Sequence, residues 1–240
     1  MTYKIFYFKS LASTQDKAKE FSKKGLSNVV VIADVQTKGR GRFKRKWFSN
    51  SGGLYLSILL KPRNIQNLQY LTFAAAVAVV RSIKKITNLD TNIKWPNDVH
   101  YKGKKLCGIL TEGIFGKENY AVVGIGLNVN QDKFSNEIKD IASSLKIIKK
   151  QQINIAKITQ KIIGEFFILY NNYYSKNKYE DILKMWEKHC DTINKDVAVI
   201  TATRKLEGNV MGIDKNCNLL LKTKNNKIIK IIEGDVSIRY

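Results

Sequence analysis

Val29-Val30-Val31-Ile32-Ala33-Asp34-Val35 runs without a break into Gln36-Thr37-Lys38-Gly39-Arg40-Gly41-Arg42-Phe43-Lys44-Arg45-Lys46-Trp47. The first half is β-branched and almost continuously apolar, as a buried strand must be. The second half is a basic loop around Gly39 and Gly41, residues that adopt backbone angles closed to others and let main-chain N–H groups come close to a ligand. Arg40, Arg42 and Arg45 carry planar forks matched to phosphate or carboxylate, and Trp47 offers a ring face on which a base can stack. Such a loop can wrap an anion and release it. A charge run alone is more often a solvated turn or a nucleic-acid patch, so the meaning of the loop rests on what flanks it.

Upstream, residues 5–8 read as a strand, and Ser13-Thr14-Gln15-Asp16 has the spacing of a cap that opens a helix to about residue 24, with Gly25 as its stop. Downstream, Gly52-Gly53 turns the chain into an alternating strand over 54–60. Residues 67–86, which include Phe73-Ala74-Ala75-Ala76-Val77-Ala78-Val79-Val80, form a long, largely buried helix. Short strands are expected over 93–95, 99–101, 105–112 and 120–129, the middle two joined by a Lys102-Gly103-Lys104 turn. Helices follow over 153–174 and 179–190. A strand cluster followed by helices is an α+β layer pattern and not a series of βαβ units. From about residue 191, short strands over 197–201, 206–213, 219–223, 228–232 and 236–239 alternate with Asn, Gly, Asp and Lys turns, the pattern of a small barrel. The expected units are therefore residues 1–190 and 191–240.

With 240 residues, 44% of them apolar, the chain can bury one good-sized core and carry a small second unit. The net charge of +22 would ordinarily suggest nucleic acid or an acidic partner. Lys outnumbers Arg about five to one, however, and the lysines are spread over the whole chain, so the charge reads as compositional bias. The three cysteines, Cys107, Cys190 and Cys217, form no C-x-x-C pair, and His100 and His189 are the only histidines. A thiolate or imidazole metal site is not expected. The N-terminus lacks a cleavable signal pattern and the longest apolar run is residues 73–80, so a soluble, cytoplasmic protein with no membrane partner is expected.

Three further segments follow the basic loop in order: Lys94-Trp95-Pro96-Asn97-Asp98, then Lys104-Lys105-Leu106-Cys107-Gly108-Ile109-Leu110, then Gly124-Ile125-Gly126-Leu127-Asn128-Val129-Asn130. Together with Ser13-Thr14, this set resembles the class I, monofunctional biotin protein ligases, from about residue 3 to the C-terminus. The resemblance implies a class II aminoacyl-tRNA synthetase/biotin ligase-like catalytic domain with a mixed sheet and packing helices, followed by an SH3-like C-terminal barrel. It also implies a reaction: biotin and ATP, with Mg²⁺, form biotinoyl-5′-AMP, which a specific lysine of a biotin carboxyl carrier protein then attacks. The carrier would be that of acetyl-CoA carboxylase or another biotin-dependent carboxylase. Larger members add an N-terminal winged helix that reads operator DNA. Here the catalytic domain is expected to start the chain, so no sequence-specific nucleic-acid partner is expected, and a homodimer is compatible with the resemblance.

Activating a carboxylate with ATP brings two anions together, so the site needs cations from separate elements. The resemblance puts Lys105 at the catalytic position, bridging the biotin carboxylate and the α-phosphate; without it, a Lys in Gly-Lys-Lys-Leu would be a solvated hairpin residue. Arg40 matches the arginine that contacts and retains the adenylate. Arg42 and Arg45 are expected to hold phosphate or pyrophosphate, with a solubility role an equal alternative. Asp98 is expected either to hold Mg²⁺ or to orient the incoming amine. Lys94 is expected near the phosphates, Asn128 near the adenine, and Trp47 beside the nucleotide. Ser13, Thr14, Gln15 and Gln36 match the ureido-binding positions, with Gly39 and the Gly108 backbone beside them, although Gln15 stands where the family most often has Asn. Cys107 replaces a common Ala and reads as a small buried hydrophobe, not a nucleophile. The competing readings are a lipoate or octanoate ligase and a non-catalytic basic nucleic-acid-binding protein.

Overall fold

A computed structural model describes residues 2–201 and 204–238. Strand β1 (Lys4–Leu11) leads to α1 (Thr14–Lys23), which ends at Gly25 with φ +72°, a left-handed angle that suits glycine. Then come β2 (Val29–Gln36), β3 (Leu54–Leu60) and α2 (Leu68–Thr87). Strands β4 (Asn92–Lys94), β5 (Asp98–Tyr101), β6 (Lys104–Ile114) and β7 (Tyr120–Leu127) follow. The β5–β6 hairpin turns on Lys102 and Gly103, both at positive φ, which is the geometry of a two-residue I′ turn.

The seven strands form one mixed sheet in the order β1-β2-β3-β7-β6-β5-β4, with β1 and β2 parallel and every other pair antiparallel. One face is covered by α2, α4 (Ile155–Asn172) and α5 (Tyr179–Glu187), where Phe73 stacks on Trp186 at 4.2 Å between ring centroids. The helix α2 is buried nearly all round its middle, from Phe73 to Val80, because alanines there let it lie close to the sheet. The short helix α3 (Leu145–Lys149), capped by Ser144, was not apparent in the sequence pattern, since five residues carry too little periodicity.

The C-terminal strands β8 (Asp196–Ile200), β9 (Lys205–Ile213), β10 (Leu219–Lys222), β11 (Ile228–Ile231) and β12 (Asp235–Ile238) form a second antiparallel sheet in the order β11-β10-β9-β8-β12. Residue 239, expected at the end of the last strand, lies outside the described residues. The segment between the sheets is tied to β4, with Ile93 N–H donating to His189 O at 2.7 Å and Asp191 N–H to Ile93 O at 3.2 Å. Trp95, 1% exposed, completes the junction: its indole N–H donates to Cys217 O at 3.0 Å. Among the described residues no helix is long and apolar enough to cross a membrane.

Candidate active site

On the sheet face opposite α2, the face that also carries α1, Gly108 on β6 and Gly126 on β7 are directly opposed. A Cβ at Gly126 would come within 2.5 Å of Trp47 Nε1, and one at Gly108 within 3.0 Å of the same ring. The two glycines thus make a flat shelf on which the indole lies, and its buried N–H has no hydrogen-bond partner among the described residues. Around the shelf is a cavity of about 280 Å³, roofed in part by Phe134, Ile138 and Ile141. That roof is fixed to β6 by Lys105 N–H donating to Ile141 O at 2.8 Å and Ser143 N–H to Lys105 O at 3.0 Å.

Lys105 and Asp98 face each other across the β5–β6 hairpin, where Nζ approaches Oδ1 to 2.7 Å. This is a close ion pair, and the Asp98 side chain is the more buried of the two partners. The Lys105 ammonium also lies 5.4 Å from the Trp47 ring centroid, within cation–π range. The catalytic lysine expected from sequence is therefore held between a carboxylate and an indole at the edge of the cavity.

The other end of the cavity is polar. Ser13 caps α1, its Oγ accepting from Asp16 N–H at 3.3 Å and from Arg40 Nη1 at 3.2 Å. Gln36 Oε1 accepts from Thr14 N–H at 2.8 Å, and Gln36 Nε2 donates to Ser49 Oγ at 2.9 Å. Gln15, 4% exposed, reaches across to the sheet, where its Nε2 donates to Leu110 O and Val122 O, both at 3.2 Å. It is the glycine at 124 that makes room, since a Cβ there would meet Gln15 Oε1 at 2.6 Å. Ser57, which the sequence reading missed, lies beneath this group with Oγ 2.8 Å from Thr14 Oγ1 and 3.0 Å from Gln15 Oε1.

The structure separates the three arginines. Arg40 is forked onto Asp16 (2.7 and 2.8 Å) and reaches Glu112 at 3.3 Å. Its hydrogen bonds hold the Asp16 carboxyl below the usual range and raise its own pKa. Arg42 is more enclosed: it donates to Asn97 Oδ1 at 3.2 Å and Gly234 O at 3.5 Å, and burial pulls its pKa down. Arg45 pairs with Asp235 of β12. So Arg42, not Arg40, shares the neighbourhood of Asp98.

Two expectations about the loop change. Neither Gly39 nor Gly41 has a positive φ; the left-handed positions are Phe43 (φ 53°) and Lys44 (φ 57°). Gly39 is needed for space instead, as a Cβ there would fall 2.5 Å from Ser49 Oγ. Lys94 sits half-buried on β4 directly opposite Asp98 in the β4–β5 register, but does not itself line the cavity. Asn128 does line the cavity, with Oδ1 accepting from Gln131 Nε2 at 3.4 Å. Cys107 is fully buried in the core under the shelf, where burial pushes its thiol pKa up and away from thiolate chemistry.

Among the described residues no group of three or more His, Cys, Asp or Glu side chains could cage a metal ion. Asp98 fits only the sparser pattern of a Mg²⁺ carried on phosphates, which needs one or two carboxylates. The missed neighbours of the site, Asp16, Ser57, Glu112 and Asp235, each contact another site residue, and only Asp16, in the helix-capping motif, is marked by its local sequence.

Residues 7–130 match the Biotin/lipoate A/B protein ligase family, and residues 192–239 match the Biotin protein ligase C terminal domain. The chain is 37% identical to the bifunctional ligase/repressor BirA of Bacillus subtilis over 98% of this chain and 74% of that protein. It shares 37% identity with the biotin–[acetyl-CoA-carboxylase] ligase of Mycobacterium tuberculosis over 44% of this chain and 41% of that one. The structure of a biotin protein ligase from Aquifex aeolicus in complex with biotin and ATP superposes with a TM-score of 0.87 at 31% identity, covering 99% of each chain. The shelf, the Lys105–Asp98 pair and the polar end thus sit within an alignment that spans nearly the whole fold, and the chain belongs to the Biotin/lipoate A/B protein ligase family as a biotin protein ligase.

Proposed function

We propose that this chain activates the carboxylate of biotin with ATP and passes the biotinoyl group to one lysine of a biotin carboxyl carrier domain. The observation that carries the reading is the arrangement of one cavity with a hydrogen-bonding end at Ser13, Thr14, Gln15 and Gln36 and a cationic end at Lys105 and Arg42. A ureido ring needs a few fixed polar partners inside apolar walls, and the carboxylate at the end of its acyl chain needs a cation. The chain supplies both, with Trp47 between them.

In this account the biotin carboxylate oxygen attacks the α-phosphorus of ATP and the bond to the β-phosphate oxygen breaks, releasing pyrophosphate. Lys105 and Arg42 neutralise the charge that gathers on the α-phosphate. Mg²⁺, arriving with the triphosphate, would add further neutralisation, and Asp98 is the residue placed to hold it. The mixed anhydride then lies under Trp47 and the 134–141 roof, away from water. The carrier lysine amine attacks the acyl carbon, AMP leaves, and Asp98, the carboxylate paired with Lys105, is assigned to accept the amine proton. Asn128 is assigned to the adenine side. Lys94 is given no role.

The division into a catalytic unit, residues 1–190, and a C-terminal unit, residues 191–240, is part of the same proposal. Arg45–Asp235 and Arg42–Gly234 link the second unit to the basic loop of the first. Acetyl-CoA carboxylase is the proposed source of the carrier. We assign no operator reading to these residues, because their basic groups are spread and not aligned on one helix for a groove. The reading is tested by pyrophosphate exchange into ATP. Exchange should depend on biotin and be weak with lipoate or octanoate; equal exchange with lipoate would refute it.

A further inference from the structure

Beyond Gly108, strand β6 loses its neighbour. β5 starts at Asp98, opposite Gly108, and only Asn97 reaches one residue further, to Ile109. We propose that the open edge of β6 from Thr111 to Gly113, with the cleft beside it, is where the lysine-bearing segment of the carrier docks, as an added extended strand. The inference rests on the ligase reading above and names a surface that this reading needs.

Both main-chain groups of Ile109 point outward: its N–H donates to Asn97 O at 3.0 Å, and its C=O accepts from Asn97 Nδ2 at 2.7 Å. Inward and outward residues alternate along an antiparallel strand, so the N–H and C=O of Thr111 and Gly113 point outward as well. Among the described residues no strand pairs with them on that side. Such a row of unmet donors and acceptors is a template for another chain.

Facing the edge is a second cavity, of about 170 Å³, between the first turns of α2 and the β9–β10 turn, with Gln69, Thr72, Asn216 and Asn218 in its wall. Arg42 is the one charged residue lining it among those described. Neutral amides and hydroxyls match a peptide backbone, whereas a phosphate chain would need several cations. Ile232, also on the wall, is 78% exposed. Phe115, 70% exposed, lies against Gly113, where a Cβ would come within 2.8 Å of its ring. These two are the most exposed large apolar side chains among the described residues, and they flank the same edge.

The cleft also leads to the chemistry. The ring end of the catalytic cavity is closed by Arg40 on Asp16 and Glu112, and residues 134–141 roof one side, so the amine has to arrive at the cationic end. There Arg42, Asn97, Ile109 and Leu110 line both cavities. Thr111 lies about 10 Å along the strand from Gly108, a gap that a lysine next to the paired stretch can bridge.

Ile232→Asp and Phe115→Asp put charge on the rim and leave the catalytic cavity untouched. Each should raise the KM for a biotin carboxyl carrier domain by about tenfold or more, while biotin-dependent pyrophosphate exchange stays within about twofold of wild type. Strand pairing is read separately, by NMR amide exchange on labelled protein mixed with a carrier domain whose acceptor lysine is replaced by leucine. Exchange at Thr111 and Gly113 should slow by about tenfold or more. An unchanged KM in both variants, or protection that falls on the Lys102–Gly103 turn or on β1 and not on Thr111 and Gly113, overturns the inference alone. A wild type without biotin-dependent exchange overturns the ligase reading as well.

Discussion

Arg40 and Arg42 are two residues apart and chemically identical, yet their surroundings assign them different work. Arg40 is already matched to Asp16 and Glu112 at the rim, whereas Arg42 faces Asp98 with a neutral carbonyl and an amide as its partners. An incoming phosphate therefore competes with two directly bonded carboxylates for Arg40, whereas Asp235, Asp98 and Glu233 act on Arg42 through space without a hydrogen bond to it. We expect Arg42→Ala to lower the rate of adenylate formation by about 10² or more, in line with loss of one preorganised donor. Arg40→Ala should reduce it by less than about tenfold. Single-turnover quench-flow on both variants checks this, and equal losses would show that the carboxylates release Arg40 when ATP binds. The sequence pointed to the loop as a whole and singled out Arg40, because spacing carries no information on which neighbours a side chain meets.

At the scale of elements, the N-terminus of α1 does two jobs with one hydroxyl. Ser13 Oγ caps the helix by accepting from Asp16 N–H and also receives Arg40 at the polar end of the cavity. The two jobs can be separated. Replacing a cap by Ala costs about 1 kcal/mol, and replacing it by Gly only a few tenths. Ser13→Ala should lower Tm by roughly 2–4 °C, and Ser13→Gly by much less, for a chain of this size. Both should raise the KM for biotin by about the same factor, since both remove the hydroxyl. Melting curves alongside steady-state kinetics decide it; a KM that rises only in Ser13→Ala would mean the hydroxyl serves the helix alone. Elements were the most legible part of the chain: the bounds of β3 and the core of α2 match their apolar runs, although β3, expected to alternate, is buried at every residue because both faces of the sheet are covered there. Helix α3 and the roof over residues 134–141 were not legible, because they are held by backbone bonds to β6 and β7, which leave no local pattern.

For the whole molecule, the two sheets meet at the catalytic loop. Asp235 is paired with Arg45, and the carbonyl beside it accepts from Arg42. Removing residues 191–240 would also strip Trp95 of its partners at Thr192 and Cys217, so truncation confuses catalysis with folding. A point change avoids this. Asp235→Ala should raise the KM for ATP several-fold, leave the Kd for biotin within about twofold, and change Tm little, because exposed ion pairs contribute about 0–1 kcal/mol. Titration calorimetry with each ligand is the check; equal weakening of both ligands would mean that the C-terminal sheet supports the cavity generally. The net charge of +22 belongs to this scale too. Any DNA affinity of this chain should fall steeply with salt and differ little between sequences, and a competition assay with a hundredfold preference for one duplex would contradict that.

The central claim is that Lys105, set between Asp98 and Trp47, drives formation of an acyl-adenylate. Native mass spectrometry of the protein after incubation with biotin, ATP and Mg²⁺, without any carrier, observes that intermediate directly. The wild type should carry one bound biotinoyl-5′-AMP. Lys105→Ala, folded as judged by its melting curve because the side chain is part-exposed at a hairpin, should carry biotin and ATP but little adenylate, with formation slowed by about 10² to 10³. A folded Lys105→Ala protein that accumulates the adenylate at the wild-type rate would contradict the account.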